Sequence, residues 1–194
     1  MVASALREKA TLERDYDSVR REARSELRRL AERITAGDDS QLIHWVVEGA
    51  IAGAHRPLRY NPDAAIGGRV PRIPRSARPL IEAWVEQIIG AGVRSVICLA
   101  TSEELRRYDD LDFGPDGLLG FLSASGLDVR HLPLADPLHL PNASVTSWKL
   151  ELQRVQDAAC RALPGLAKPV LVFCSGGQDR TPPVTAYLAS HLES

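Results

Sequence analysis

The chain is poor in several things that would have narrowed its class at once: among 194 residues there are three cysteines, one methionine and 5% aromatic residues. Three cysteines without paired spacing argue against a disulfide framework and for a reducing compartment, so a cytoplasmic protein is expected. No apolar run approaches the ~20 residues of a membrane span. The opening Val2-Ala3-Ser4-Ala5-Leu6-Arg7-Glu8-Lys9 lacks the hydrophobic core of a secretory signal. Neither sign of charge dominates. With 24 basic and 25 acidic residues and a net charge of −1, nothing general draws the chain to nucleic acid or to a membrane surface. His44, His55, His131, His139 and His191 show no ligand spacing. Asp110, Asp112, Gly114 and Asp116 imitate a calcium loop, but the glycine is misplaced and the twelfth position is Phe121. No metal and no cofactor is implied.

What is present is 44% hydrophobic residues, the makings of one ordinary globular domain with an appendage. Residues 4–36 are charged throughout and free of Pro and Gly. Within them Leu12, Tyr16, Val19, Ala23, Leu27, Leu30 and Ile34 recur at steps of three and four, one face of a helix. The mean step of ~3.7 residues is not the 3.5 of a left-handed coiled coil. A helix packed on the domain is the expectation, with dimerisation through that helix the alternative. Gly37 is its stop signal. The expected division is an N-terminal amphipathic helix over 1–37 and a second unit over 38–194.

Residues 57–79 hold five prolines and Gly67-Gly68, which read as extended loop. Arg56, Arg59, Arg69, Arg72, Arg75 and Arg78 would form a basic rim beside a site; a solvated loop is the preferred reading. Helices are expected near 76–89, 116–125 and 144–163, each feeding a strand, at 94–99, 128–132 and 169–174. Strands alternating with helices imply an α/β fold, a three-layer-like sandwich with a central, largely parallel sheet flanked by helices. Cys98 and Cys160 fall mid-strand and mid-helix, as core residues.

The densest signal lies near the C-terminus, in Val170-Leu171-Val172-Phe173-Cys174-Ser175-Gly176-Gly177-Gln178-Asp179-Arg180-Thr181. An apolar strand delivers a cysteine into a glycine-bearing loop that closes on an arginine and a helix start. Loop N–H groups and a helix N-terminus then converge on one spot, which is an anion site. A cysteine at the base of such a cradle is poised as thiolate, the attacking form. The demand is large: at an ordinary pKa of ~8.5, about 3% of a cysteine is thiolate at pH 7. Complete ionisation needs about 4 kcal/mol, and a helix terminus supplies at most ~2 kcal/mol.

Cys174, five residues, then Arg180-Thr181 resembles the C-x5-R-[S/T] phosphate loop of the cysteine-dependent phosphatases, particularly the dual-specificity group, with Gly177 at the family's central glycine. The ending Asp179-Arg180-Thr181 resembles the D-R-T variant of several bacterial tyrosine phosphatases and of myotubularin-type lipid phosphatases. Trp45–Gly53, Ala91–Leu99 and Gly126–Asp136 resemble, in order, the family's opening strands, a core helix–strand unit and the strand entering the general-acid loop. The likeness covers roughly residues 44 to 192.

The resemblance implies Cys174 as nucleophile and the loop backbone of Ser175, Gly176, Gly177, Gln178, Asp179 and Arg180 as the cradle. It implies that the Arg180 guanidinium grips two phosphate oxygens and that Thr181 donates a hydrogen bond to the sulfur. Asp136 falls at the family's general acid, with an Asx-turn or cap as the other reading and His139 as a lesser substitute. Phe173 stands where the family usually has histidine. Asp179 would repel an anion, so it is expected to turn outward and pair with an arginine. The implied activity is hydrolysis of phosphate monoesters on a phosphorylated protein, phosphotyrosine first, or on a small phosphoester, through a phosphocysteine. A phosphate-binding module with little turnover, motivated by Phe173, is the alternative. A phosphoinositide phosphatase is disfavoured by the neutral Ser175, Gly176 and Gln178, and a rhodanese-like sulfurtransferase ranks last.

Overall fold

The computed structural model describes residues 2–137 and 145–192, with side chains from Asp15 onward and excluding that of Val145. His139, Pro141 and the expected helix start at Ser144 therefore lie outside the described residues. Strands β1 (Ile43–Val47), β2 (Ile51–His55), β3 (Ser95–Cys98), β4 (Asp128–His131) and β5 (Val170–Cys174) form one sheet in the order β1-β2-β5-β3-β4. β1 runs antiparallel to β2 and every other pairing is parallel. The central strands β2, β3 and β5 are buried along their whole length. That is why they read as near-continuous apolar runs rather than as alternating ones.

Alternation along β5 divides the core. Leu171 and Phe173 face one side, where α2 (Arg78–Gly90) packs through Ile81, Trp84, Val85 and Ile88, and α4 (Gly117–Ala124) packs through Leu118 and Leu122. Val170, Val172 and Cys174 face the other, against α5 (Val145–Ala162) and α6 (Thr181–Ser190). The first helix, α1 (Val2–Thr35), lies on α6 and the β1–β2 pair. Its buried residues Ala23, Leu27, Leu30 and Ala31 follow the three-and-four spacing of the sequence, and Gly37 closes it at φ +89°. No described helix is long and apolar enough to cross a membrane.

Two stretches differ from the expectation. Residues 102–111 form a short helix, α3 (Ser102–Leu105), and a 3-10 turn that buries Tyr108 and Leu111. The periodicity there is too short to register as a helix in the sequence. The arginine-rich segment is a loop solvated over much of its length, but Arg59, Arg69 and Arg72 border the cleft above β5, and Arg56 just before it is 2% exposed. The segment returns to the domain because Arg56 donates to Gly68 O at 2.6 Å and Ile73 N donates to Arg107 O at 2.8 Å.

The docking of α1 depends on a close approach. A Cβ added at Gly53 would stand 3.3 Å from Leu27 Cδ1 and 3.2 Å from Thr181 Cγ2. Leu27 is fully buried there. Leu27→Ala is expected to lower stability by about 2–5 kcal/mol, the usual cost of a large-to-small core change. A urea titration reads it, and a loss below about 0.5 kcal/mol, the scale of a surface change, would show that α1 does not pack on the sheet.

Candidate active site

The loop after β5 starts at the C-terminal edge of the parallel strands, where open α/β sheets place their ligands. Three neighbours hold it. Just after β2, the backbone N–H of Arg56 donates to Cys174 O at 2.9 Å and Ser175 O at 3.3 Å, while its Nε donates to Ser175 Oγ at 3.3 Å. The rest of that guanidinium is spent on neutral oxygens: Pro57 O, Tyr108 OH and Gly68 O. Tyr60 OH donates to Gly176 O at 3.1 Å. From α1, Arg24 meets Asp179 Oδ1 at 2.9 Å, so Asp179 is turned to an arginine, as its charge requires.

Gly177 carries the geometry of the cradle. It adopts φ +67°, a left-handed conformation suited to glycine, and a Cβ there would fall 2.4 Å from His55 Cδ2. In that pose its N–H points at Cys174 Sγ, 3.2 Å away. His55 stands beside Cys174 in the β2–β5 register and supports the loop from beneath. Its Nε2 lies 2.8 Å from Leu27 O, an acceptor only, so Nε2 carries the proton. Nδ1 is then a buried lone pair with no hydrogen-bond partner among the described residues. Burial pushes the imidazole down to about 4; its bond to Leu27 O works against that, and the nearby Arg59 charge adds to it.

Arg180 is 1% exposed. Its Nη1 donates to Glu104 Oε2 at 2.7 Å and to Leu134 O at 2.8 Å, and its Nη2 donates to Glu104 Oε1 at 2.6 Å. Three of the five guanidinium N–H groups are thus used, leaving two for a ligand. Asp136 Oδ2 lies 3.6 Å from Nη2. Burial alone would lower the Arg180 pKa, but the Glu104 hydrogen bonds, Cys174 and the charges of Glu104 and Asp136 raise it. Burial would likewise raise the Glu104 carboxyl; Arg180 and the Thr101 contacts bring it below its usual range. Glu104 is itself anchored by a capping box, accepting from Thr101 N at 2.8 Å while Thr101 Oγ1 accepts from Glu104 N at 3.2 Å.

Cys174, Arg180 and Asp136 therefore border one cleft of about 850 Å³, together with Ser175, Gly176, Gln178 and Asp179. Thr181 is buried at the start of α6, and its hydroxyl has no hydrogen-bond partner among the described residues, the Cys174 sulfur included. Gln178 has both amide ends buried and similarly unpartnered. Phe173 points to the opposite face of the sheet and packs edge-on against Trp84, with ring centroids 6.0 Å apart. Burial pushes the Cys98 thiol up to about 12, in keeping with an inert core residue.

Glu104 and His55 stand out among the positions around the loop that sequence reasoning missed. Glu104 could have been found as the Thr101-Ser102-Glu103-Glu104 capping signature, although nothing in that signature names its partner, Arg180. His55 carried no signal beyond lying at a strand end. What this arrangement can do is bind a tetrahedral oxyanion against a sulfur nucleophile, with a carboxyl at the rim.

No protein-family model and no curated protein sequence matches the chain. One solved structure, a kinase associated phosphatase whose catalytic-site cysteine is replaced by serine, resembles it with a TM-score of 0.43 at 20% identity. The match covers 71% of this chain and 63% of that one, so less than two thirds of that protein's length is spanned.

Glu104→Gln keeps the shape of the side chain but removes the charge that orients Arg180. Inorganic phosphate is expected to bind about tenfold more weakly, equivalent to about 1.4 kcal/mol, in a calorimetric titration; unchanged affinity would separate Glu104 from the anion site. His55 predicts a pH effect with a definite sign. Its folded pKa lies below the ordinary value of 6.5, so its stabilising contribution is complete above that value and is lost as pH falls toward 4. About 2–3 kcal/mol should disappear between pH 7 and 4.5. Urea midpoints across that range should fall more steeply in the wild type than in His55→Gln, and parallel curves would refute the assignment.

Proposed function

We propose that this protein is a cysteine-dependent phosphatase that hydrolyses phosphate monoesters, with phosphotyrosine as the first substrate to try. The observation that carries the reading is the Gly177 N–H aimed at Cys174 Sγ at 3.2 Å, on a loop whose closing arginine is buried, charged and oriented by Glu104.

In the proposed reaction the Cys174 thiolate attacks phosphorus in line with the leaving oxygen. Loop N–H groups and the two remaining Arg180 N–H groups hold the equatorial oxygens, where negative charge must be met in the transition state. Asp136, in its protonated form, gives its proton to the departing alkoxide or phenoxide as the P–O bond breaks. The Asp136 carboxylate then takes a proton from water as that water attacks the phosphocysteine. The S–P bond breaks, and inorganic phosphate and the thiolate are released. Every step uses the chain's own groups. Thr181, whose buried hydroxyl has no hydrogen-bond partner among the described residues, is proposed to assist this second departure.

A second reading, a phosphate-binding module with little turnover, is supported by Phe173, which is committed to the Trp84 contact and cannot orient the sulfur. One experiment separates the two: metal-free hydrolysis of para-nitrophenyl phosphate under reducing conditions, with Cys174→Ser in parallel. The phosphatase reading expects turnover that falls by at least ~10³ in the mutant, a loss of about 4 kcal/mol of barrier lowering. Phosphate binding without turnover would favour the module. Asp136→Asn should slow an unactivated alkyl phosphate by roughly 10²–10⁴ and para-nitrophenyl phosphate much less; equal losses on both would remove Asp136 as the acid.

A further inference from the structure

The loop itself carries no lysine, and its only cation is Arg180, yet the cleft around it is rich in arginine. Arg59, Arg69, Arg72, Arg106 and Arg107 border the same space as Cys174. Four acids border the cleft as well, Glu103, Glu104, Asp136 and Asp179; Glu104 and Asp136 lie against Arg180, and Asp179 pairs with Arg24. Arg72 has its own partners, Asp109 and Asp110, each at 3.3 Å. By contrast, Arg59, Arg69, Arg106 and Arg107 form no ion pair with a carboxylate among the described residues.

We infer that Arg59, Arg69 and Arg107 form a second anion subsite beside the phosphate loop, built to take the second phosphate of a compact bisphosphorylated substrate such as a polyol or sugar bisphosphate. The inference deepens the phosphatase reading and rests on it for the identity of the first phosphate.

Three observations support it. First, two of the three guanidinium groups are held in place, while Arg69 is exposed at the cleft edge. Arg107 donates through Nε to Glu104 O at 2.7 Å and through Nη1 to Val70 O at 3.2 Å, and Arg59 lies over the Tyr60 ring at 5.4 Å. Second, Arg59 Nε is buried without a hydrogen-bond partner among the described residues, which leaves a donor that a ligand oxygen would satisfy. Third, the cations oppose one another. Burial lowers the pKa of both Arg59 and Arg107; Arg56 adds to this for both, Arg69 for Arg59 and Arg59 for Arg107, while Tyr60 opposes it at Arg59 and Tyr108 and Glu104 oppose it at Arg107. A bound dianion would relieve that repulsion, so the differential affinity for a second phosphate is prepared in the free protein. The arginines converge on one concave space of about 850 Å³, which suits a small polyanion better than an extended chain.

The test compares each bisphosphate with its own monophosphate: 2,3-bisphosphoglycerate with 3-phosphoglycerate, fructose 1,6-bisphosphate with fructose 6-phosphate, and inositol 1,4-bisphosphate with inositol 1-phosphate. Calorimetric binding to the Cys174→Ser protein reads affinity without turnover, and competition against para-nitrophenyl phosphate reads it in the wild type. At least one bisphosphate should bind tenfold or more tightly than its monophosphate. Arg59→Gln combined with Arg69→Gln should bring that ratio within about threefold of unity, whereas the corresponding double lysine variant should keep a preference. Ratios near one for all three pairs, or a preference that survives the double glutamine change, would overturn the subsite. So would a doubly phosphorylated tyrosine peptide that binds more tightly than every bisphosphate, which would assign the arginines to a protein substrate. If the wild type hydrolyses no phosphoester but the discrimination stands, the phosphatase reading fails and the subsite remains.

Discussion

A guanidinium at 1% exposure cannot stand alone, and the bidentate pair between Arg180 and Glu104 is the constraint on which the site depends. An unpaired buried charge is strongly destabilising, commonly by about 3–5 kcal/mol when a partner is removed. The pair therefore ties the end of the loop after β5 to the short helix after β3, two segments some seventy-five residues apart in the chain. Its consequence is directional. With three N–H groups committed to Glu104 and Leu134 O, the guanidinium plane is set before any ligand arrives, which is the condition for electrostatic preorganisation.

The opposite side of the loop is braced by the first helix. Leu27 packs against the close approach at Gly53, its carbonyl accepts from His55, and Arg24 pairs with Asp179 at the edge of the cleft. His55 in turn occupies the space that a side chain at position 177 would need. Helix α1 thus acts through contacts behind the loop, while Glu104 acts through the arginine in front of it. Phe173 belongs to neither brace; it contributes to the core on the α2 side.

Charge is distributed with the same economy. Taken alone, the neutral loop residues Ser175, Gly176 and Gln178 describe a weakly cationic site. The cations enter instead from 56–72 and from 106–107, which lie beside the loop only after β2, β3 and β5 have aligned. Burying Arg56 among carbonyl and hydroxyl oxygens links these segments to Ser175.

The sequence by itself determined most of the strands and helices and the cysteine-bearing loop. Apolar strands, three-and-four helix spacing and the Cys174-to-Thr181 loop are local patterns, set by backbone periodicity and by the few residues that tolerate a tight anion-binding turn. Asp136 was legible as the end of a strand segment, and its place in the cleft follows from the strand order. Glu104, His55, Arg56 and the inward turn of the arginine-rich segment were decided only by the tertiary structure. Their roles depend on partners contributed by distant strands and helices: Arg180 for Glu104, Gly177 and Leu27 for His55, Ser175 for Arg56. A buried charge or a close backbone approach has no periodicity to reveal it, because its energy comes from a neighbour that only the folded sheet supplies.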